Sequence, residues 1–344
     1  MKLAPALLLL VFACKAPQVQ TSARDESREG PGADRPTGPL TPGTGQQGAA
    51  TGANSTAPTA TVWPSVPSGW AAAESSLLAG YVNQSGTAGI PEYIRFYRFN
   101  SSQTKDSMYL AITKLSQANI TVGYTGKAAV TSQLARNCVF GVNGGYFSGK
   151  QSVSIVKIGD ELKSSDAQDL VRPSGTAQPT RATFFWDAAS RRAFFHWASV
   201  MQGKIQIFAT AADPYTAGRR GGNSPAVHSL ALGGGPMLIW QDAVTVTTAK
   251  EAFDAGIRAD QPQPRTAIGV TQGGYLVVLV VDGRSDQARG LTLQDLARTL
   301  KNWGVTSAMN FDGGGSSTFV MAGKVWNRPS EGGERAVWSA LCVN

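Results

Sequence analysis

From position 93 onward, short runs rich in β-branched, aromatic and aliphatic residues recur between turn-forming clusters. They predict strands at 93–99, 107–113, 138–142, 154–158, 182–186, 193–196, 237–240, 266–270, 275–282, 307–310 and 318–321. Glycine-bearing turns such as Gln272-Gly273-Gly274 and Ala322-Gly323 separate them. The run Tyr275-Leu276-Val277-Val278-Leu279-Val280-Val281 does not alternate, and a continuously apolar strand is one covered on both faces. Helical periodicity is confined to 128–137 and 292–303. In the second, Thr292 caps, Leu293, Leu296, Ala297 and Leu300 form the apolar stripe, and Gly304 stops it. No repeat is visible. The pattern predicts an α+β chain: a single β-rich domain with a large mixed sheet and few helices.

The first 62 residues are a different material. Lys2, a short apolar run over 7–12 and a small residue before Cys14 have the proportions of a secretion signal, too short to span a membrane. Val11-Phe12-Ala13-Cys14 resembles a bacterial lipobox, in which Cys14 is lipidated and becomes the mature N-terminus; an ordinary signal peptide cut nearby is the alternative. From Lys15 to about Thr61 the chain is Pro, Gly, Ser, Thr, Ala and Gln with almost no large apolar residue, a composition that cannot offset its ordering entropy. The expected organisation is a signal peptide over 1–13, a lipidated cysteine and disordered linker over 14–62, and a catalytic domain over 63–344. It places the protein outside the cytoplasm, lipid-anchored in a bacterial cell envelope.

Composition narrows the chemistry. The chain has 344 residues, 42% hydrophobic and 16% charged, enough for a sizeable core. The linker is neutral, leaving 26 Lys and Arg against 19 Asp and Glu from Trp63 onward. Such an excess favours anionic substrates, but the charges are scattered without a basic block, which argues against nucleic acid. Three cysteines and two histidines are too few for a thiolate zinc site or a His-rich centre. With Cys14 lipidated, Cys138 and Cys342 either pair as a disulfide or pack as small buried thiols.

Polar and glycine residues gather at predicted strand ends: Asn143-Gly144-Gly145-Tyr146-Phe147, Gly233-Gly234-Gly235-Pro236, Asp282-Gly283-Arg284 and Asn310-Phe311-Asp312-Gly313-Gly314-Gly315-Ser316-Ser317. One such corner is ordinarily a turn; four at strand ends suggest a shared pocket. A phosphate loop is excluded because no Lys precedes the serines, and a serine nucleophile because the Gly-x-Ser-x-Gly elbow is missing. His196 and His228 lie in apolar strand contexts that suit structural roles. What remains is acid–base and electrostatic work by Asp282, Asp312 and Glu334 with Arg265, Arg284 and Arg335. No cofactor is called for, although carboxylates with backbone carbonyls would also suit a structural calcium.

These residues, in this order, resemble the phosphodiester glycosidases, the group related to the enzyme that uncovers mannose 6-phosphate on lysosomal hydrolases. The match rests on Arg265-Thr266-Ala267-Ile268-Gly269, Val281-Asp282-Gly283-Arg284, the Asn310–Ser317 corner, Asn327-Arg328-Pro329 and Glu334-Arg335, with Asn143-Gly144-Gly145-Tyr146-Phe147 upstream. The resemblance implies hydrolysis of a sugar 1-phosphodiester, such as an α-N-acetylglucosamine 1-phosphodiester, at the glycosidic bond, with a phosphorylated glycan as partner. On that reading Asp312 activates water or supports the oxocarbenium ion, and Asp282 is the second carboxylate or a sugar-hydroxyl acceptor. Arg265 and Arg284 hold the phosphate. The amides of Gly313 and Gly314, the hydroxyls of Ser316 and Ser317, and Asn143, Gly144, Asn310, Glu334 and Arg335 complete the substrate contacts. A non-catalytic surface lipoprotein binding anionic glycans, and a phosphodiesterase cutting on the phosphorus side, are the competing readings.

Overall fold

The computed structural model describes residues 81–86, 90–165, 170–172, 175–177, 179–211 and 228–344. The expected signal peptide, Cys14 and the linker lie outside the described residues.

The central strand is Tyr275–Val281, buried at every position as its unbroken apolar run requires. It pairs antiparallel with Asp106–Lys114 on one side and Arg265–Thr271 on the other. They form the middle of an eight-stranded sheet whose further members include Ile94–Ser101, Val305–Asn310 and Met237–Trp240. Period-2 geometry sends Leu276, Val278 and Val280 to one face and Tyr275, Val277, Leu279 and Val281 to the other. The first set joins an aromatic core containing Phe96, Phe140, Phe184, Phe311 and Phe319. The second packs under the helix Leu293–Asn302 through Leu293, Leu296, Ala297 and Leu300. That helix begins as expected: Thr292 Oγ1 accepts from the Asp295 amide at 3.0 Å and donates to the Asp295 carboxylate at 2.7 Å.

A six-stranded sheet runs from Glu161–Ser164 through Arg181–Asp187 and Arg192–Met201 to Lys204–Phe208, and a five-stranded sheet is built around Phe140–Asn143 and Ala340–Val343. The β-rich, helix-poor class is as expected, and each predicted strand falls on an observed one. The mixed character is not: all pairings in the large sheet are antiparallel, both those of hairpin neighbours such as Arg265–Thr271 with Tyr275–Val281 and those of strands distant in the chain such as Asp106–Lys114 with Tyr275–Val281. The helix expected over 128–137 is reduced to one turn, Thr131–Leu134. Ala129–Val130 is drawn into a ladder with Ala336–Val337. Cys138 is fixed by a disulfide to Cys342, with Cα atoms 5.5 Å apart. The paired alternative for these cysteines therefore holds. His196 and His228 are packed among Phe185, Phe194 and Trp240, consistent with structural roles.

Candidate active site

The antiparallel register brings three strand ends to one edge of the large sheet: Arg265 pairs with Val281, and Asn310 with Ala267. The glycine corner that follows Asn310 opens there into a cleft of about 460 Å³. Its lining includes Tyr146, Arg181, Phe253, Gln263, Arg265, Arg284, Asp312 and Arg335.

Asp312 is the buried carboxylate of this cleft, which exposed Asp254 also lines. Its backbone is held from both sides, the amide donating to Gly144 O at 3.1 Å and the carbonyl accepting from Asn143 Nδ2 at 2.7 Å. Asn143, fully buried, is itself fixed by Thr266 Oγ1 and the Thr318 amide, which donate to its Oδ1 at 2.8 and 3.1 Å. Asp312 Oδ1 accepts from the Gly313 amide at 2.9 Å, and Oδ2 from Ser316 Oγ at 2.6 Å. Part of the residue faces the cleft, but the carboxyl sits in dense protein. Burial pushes its pKa up to about 6, against the pull of Ser316, Arg335, the Gly313 amide and Arg284.

Arg284 and Arg335 bring positive charge to the same corner. Arg284 has a left-handed backbone, φ 61°, and donates from Nε to Gln263 Oε1 at 2.7 Å. Its guanidinium lies against Gly314, where a Cβ would stand 2.9 Å from Nη2; at φ +60° that position also favours glycine. Arg335 donates to Ser316 Oγ at 3.4 Å through Nη1 and is gripped by both oxygens of Glu331.

Arg265 lines the cleft but is almost fully buried. Its guanidinium donates to the carbonyls of Leu291 at 3.0 Å, Ile257 at 3.0 Å, Arg258 at 2.7 Å and Gln261 at 3.1 Å. It clamps the 257–261 loop, and the planar fork expected for phosphate is already committed to backbone. Burial lowers its pKa to about 10.

The other expected site residues divide. Asn310, Gly144 and Asn143 are buried behind Asp312. Asn310 Nδ2 donates to Tyr146 OH at 3.0 Å and to the Gly235 carbonyl at 3.2 Å. The Gly313 and Gly314 amides, expected as anion donors, turn inward to Asp312 and to Pro264 O at 2.9 Å. Ser316 serves Asp312, and Ser317 is buried. Glu334 lies away from the cleft and accepts from Ser132 N and Oγ at 2.8 and 2.5 Å, fixing the one-turn helix. Asp282 is not brought to Asp312: it lines a second cavity of about 390 Å³ with Arg98, Ser107, Tyr109, Ser285 and Arg328. There its carboxylate accepts from Ser107 Oγ at 2.9 Å, Asn327 Nδ2 at 3.1 Å and the Arg328 amide at 3.0 Å. Among the described residues no group of three or more His, Cys, Asp or Glu gathers to hold a metal. Trp240 and Trp326 pack against Trp197 and Phe96.

Sequence reasoning missed Arg181 and Phe253, stacked at 4.3 Å in the cleft wall. It also missed Glu251, fully buried behind it. Glu251 accepts from the Ala182 and Met237 amides and Trp197 Nε1, each at 2.8 Å, and from Thr247 Oγ1. Burial raises its pKa. No motif marks these residues, since their partners come from distant strands.

A family model described as phosphodiester glycosidase matches residues 136–344. N-acetylglucosamine-1-phosphodiester alpha-N-acetylglucosaminidase from Bos taurus is 43% identical over 74 residues, 22% of this chain and 14% of that protein. An SPbeta prophage-derived uncharacterized protein, YomE, from Bacillus subtilis is 42% identical over 81 residues, 24% of this chain and 13% of its own. The matched stretch thus spans about a seventh of these relatives' length. Among solved structures, the zebrafish N-acetylglucosamine-1-phosphodiester alpha-N-acetylglucosaminidase catalytic domain, auto-inhibited by its pro-peptide, shares the fold at TM-score 0.52 and 20% identity, covering 73% of this chain and 81% of that one. A hypothetical protein from Synechocystis shares it at TM-score 0.50 and 14% identity, covering 73% and 62%. With more than half of its residues matched by the family model, the chain belongs to the phosphodiester glycosidase family.

Proposed function

We propose that the chain is a hydrolase that cleaves a sugar 1-phosphodiester between the anomeric carbon and the bridging oxygen, with α-N-acetylglucosamine 1-phosphodiesters as the model substrate. The observation that carries this reading is a buried carboxyl, Asp312, set deep in a cleft beneath two arginines. Bond breaking leaves positive charge on the sugar ring and a phosphate monoester as the leaving group. An ionised Asp312 faces and stabilises the oxocarbenium-like ring, while Arg284 and Arg335 meet the departing charge. A phosphate monoester departs with little protonation, so electrostatic positioning carries most of the work. The Asn143, Thr266 and Thr318 pins keep Asp312 from relaxing toward those arginines, which is what makes its charge useful in the transition state.

The substrate context is also a proposal. The Cys138–Cys342 disulfide suits an oxidising compartment. Together with the lipobox-like Val11-Phe12-Ala13-Cys14, it supports a lipid-anchored envelope enzyme acting on phosphorylated cell-surface or exopolysaccharide glycans. The test is release of free sugar by wild type and by Asp312→Asn. Turnover by wild type, with binding retained and turnover lost in the variant, is the expected result. Glycan binding without turnover by wild type would point instead to a non-catalytic binder.

A further inference from the structure

The turn that follows the central strand walls two cavities, and the proposed hydrolysis uses one of them. Arg284 lines the Asp312 cleft, whereas Asp282, two residues earlier, and the 285–288 segment line the separate cavity of about 390 Å³. That volume falls within the ~300–1,000 Å³ of small-ligand sites. The two cavities differ in charge. The cleft is lined by Arg181, Arg265, Arg284 and Arg335 against Asp254 and Asp312, an excess that suits a phosphate. In the second cavity Arg98, Lys105 and Arg328 are matched by Asp106, Asp282 and Asp286, so the wall is balanced.

Asp282 is buried, 3% exposed, and held at both oxygens. Oδ1 accepts from Asn327 Nδ2 at 3.1 Å and the Arg328 amide at 3.0 Å, whereas Oδ2 accepts from Ser107 Oγ alone among the described residues, at 2.9 Å. A carboxylate offers about four lone-pair sites, so Oδ2 keeps room for one more donor. Ser107 Oγ stands 3.5 Å from Tyr109 OH, and the Arg98 guanidinium lies over the Tyr109 ring at 5.9 Å. A carboxylate, hydroxyls and a guanidinium are thus grouped in one cavity. Three carboxyls disfavour an anion here, and the N–H and O–H donors already on Asp282 disfavour a cation. A neutral ligand rich in hydroxyls fits, because each hydroxyl donates to a carboxylate and accepts from a guanidinium or ammonium.

We propose that this cavity is a sugar subsite separate from the cleft, taking an uncharged sugar residue of the glycan. Asp282 Oδ2 accepts from one sugar hydroxyl, and Arg98 and Arg328 donate to others. Asp282 is then a binding residue for a sugar remote from the broken bond, not the second carboxylate at that bond. The inference deepens the glycosidase reading and rests on it in one respect: it makes the substrate an oligosaccharide or polymer rather than an isolated diester. The subsite holds the chain while the cleft across the shared 282–288 turn receives its phosphodiester. Sugar binding itself is measured without turnover.

The experiment titrates wild type, Asp282→Asn and Ser102→Trp with free glucose, galactose, mannose and N-acetylglucosamine, with folding checked by circular dichroism. Binding is read by saturation-transfer NMR and located by hydrogen-exchange mass spectrometry. At least one sugar should bind wild type, protect residues 98–109 and 282–288, and stay bound in saturating inorganic phosphate. Its affinity should fall about tenfold or more in Asp282→Asn, for the loss of one charge-assisted bond. It should be lost in Ser102→Trp, an exposed lining position whose indole fills the cavity. The second variant leaves the buried Asp282 hydrogen bonds alone, so the test does not hang on the folding of the first. Absence of binding by all four sugars, binding displaced by phosphate with protection at 253–265 and 312–316, or binding undiminished in Ser102→Trp would overturn the subsite. So would protection of 98–109 by inorganic phosphate itself, which would make the cavity an anion site. Sugar bound in the cavity by a wild type that cleaves no sugar phosphodiester would keep the subsite and remove the glycosidase reading.

Discussion

Replacing Asp312 by Asn should stabilise the protein while abolishing turnover. In the folded chain the carboxyl titrates at about 6 rather than its ordinary 3.8, chiefly because burial disfavours the charged form. A raised pKa means that the native state binds the proton more tightly than the unfolded state. The associated stability is fully present below about pH 4 and is lost as pH rises through 6. At neutral pH the ionised group therefore destabilises the fold by about 3 kcal/mol, the shift times 1.36 kcal/mol per unit. Because Asp312 keeps part of its surface open, screening trims this toward 1–2 kcal/mol, on the order of a few degrees in Tm for a domain of this size. Asparagine keeps the shape and an acceptor for the Gly313 amide, but carries no charge. Denaturation of both proteins between pH 4 and pH 8 reads the difference. The gain should appear at pH 7 and vanish near pH 4. A variant less stable at pH 7, or a gain that is the same at both ends, would refute the claim that the buried charge is what the fold tolerates for function.

Other consequences follow from the same geometry. Since Asp312 acts ionised, kcat/KM should fall on the acid side with an apparent pKa near 6; a profile flat down to pH 4.5 would contradict this. Arg284→Ala should raise the inhibition constant of inorganic phosphate about tenfold or more, consistent with the loss of one charge-assisted contact, whereas Arg265→Lys should chiefly lower Tm, because that guanidinium clamps carbonyls rather than facing substrate. Removing the Cys138–Cys342 link as a double alanine variant should cost about 2–5 kcal/mol in denaturant unfolding, since the bridge joins residues 204 apart; an unchanged midpoint would show that the sheet contacts alone hold these ends.

The parts of the fold legible in sequence were those decided locally. The Tyr275–Val281 run and the Thr292-capped helix carry their own period and punctuation, and both formed where the pattern put them. Asp312 was legible because glycines at a strand end announce a close approach. What sequence concealed was tertiary. Asp282 and Arg284 are two residues apart, yet the left-handed turn at Arg284 places them in different cavities. Arg265 looked like a phosphate ligand until the 257–261 carbonyls closed around it. Glu331 lies in a Gly-rich stretch with no periodicity, and only its grip on Arg335 connects it to Asp312. Ala129–Val130 reads as helix by composition, but pairing with Ala336–Val337 overrides that preference. Ala340–Val343 pairs on both sides with Ile120–Gly123 and Phe140–Asn143, strands from far earlier in the chain that no local pattern connects to it.

The central claim is cleavage at the sugar carbon rather than at phosphorus. Hydrolysis of an α-N-acetylglucosamine 1-phosphodiester in ¹⁸O-labelled water, with both products read by mass spectrometry, tests it directly. The expected result is the label on the free sugar and none in the phosphate monoester. Label in the phosphate, with the sugar oxygen unchanged, would show attack at phosphorus and contradict it.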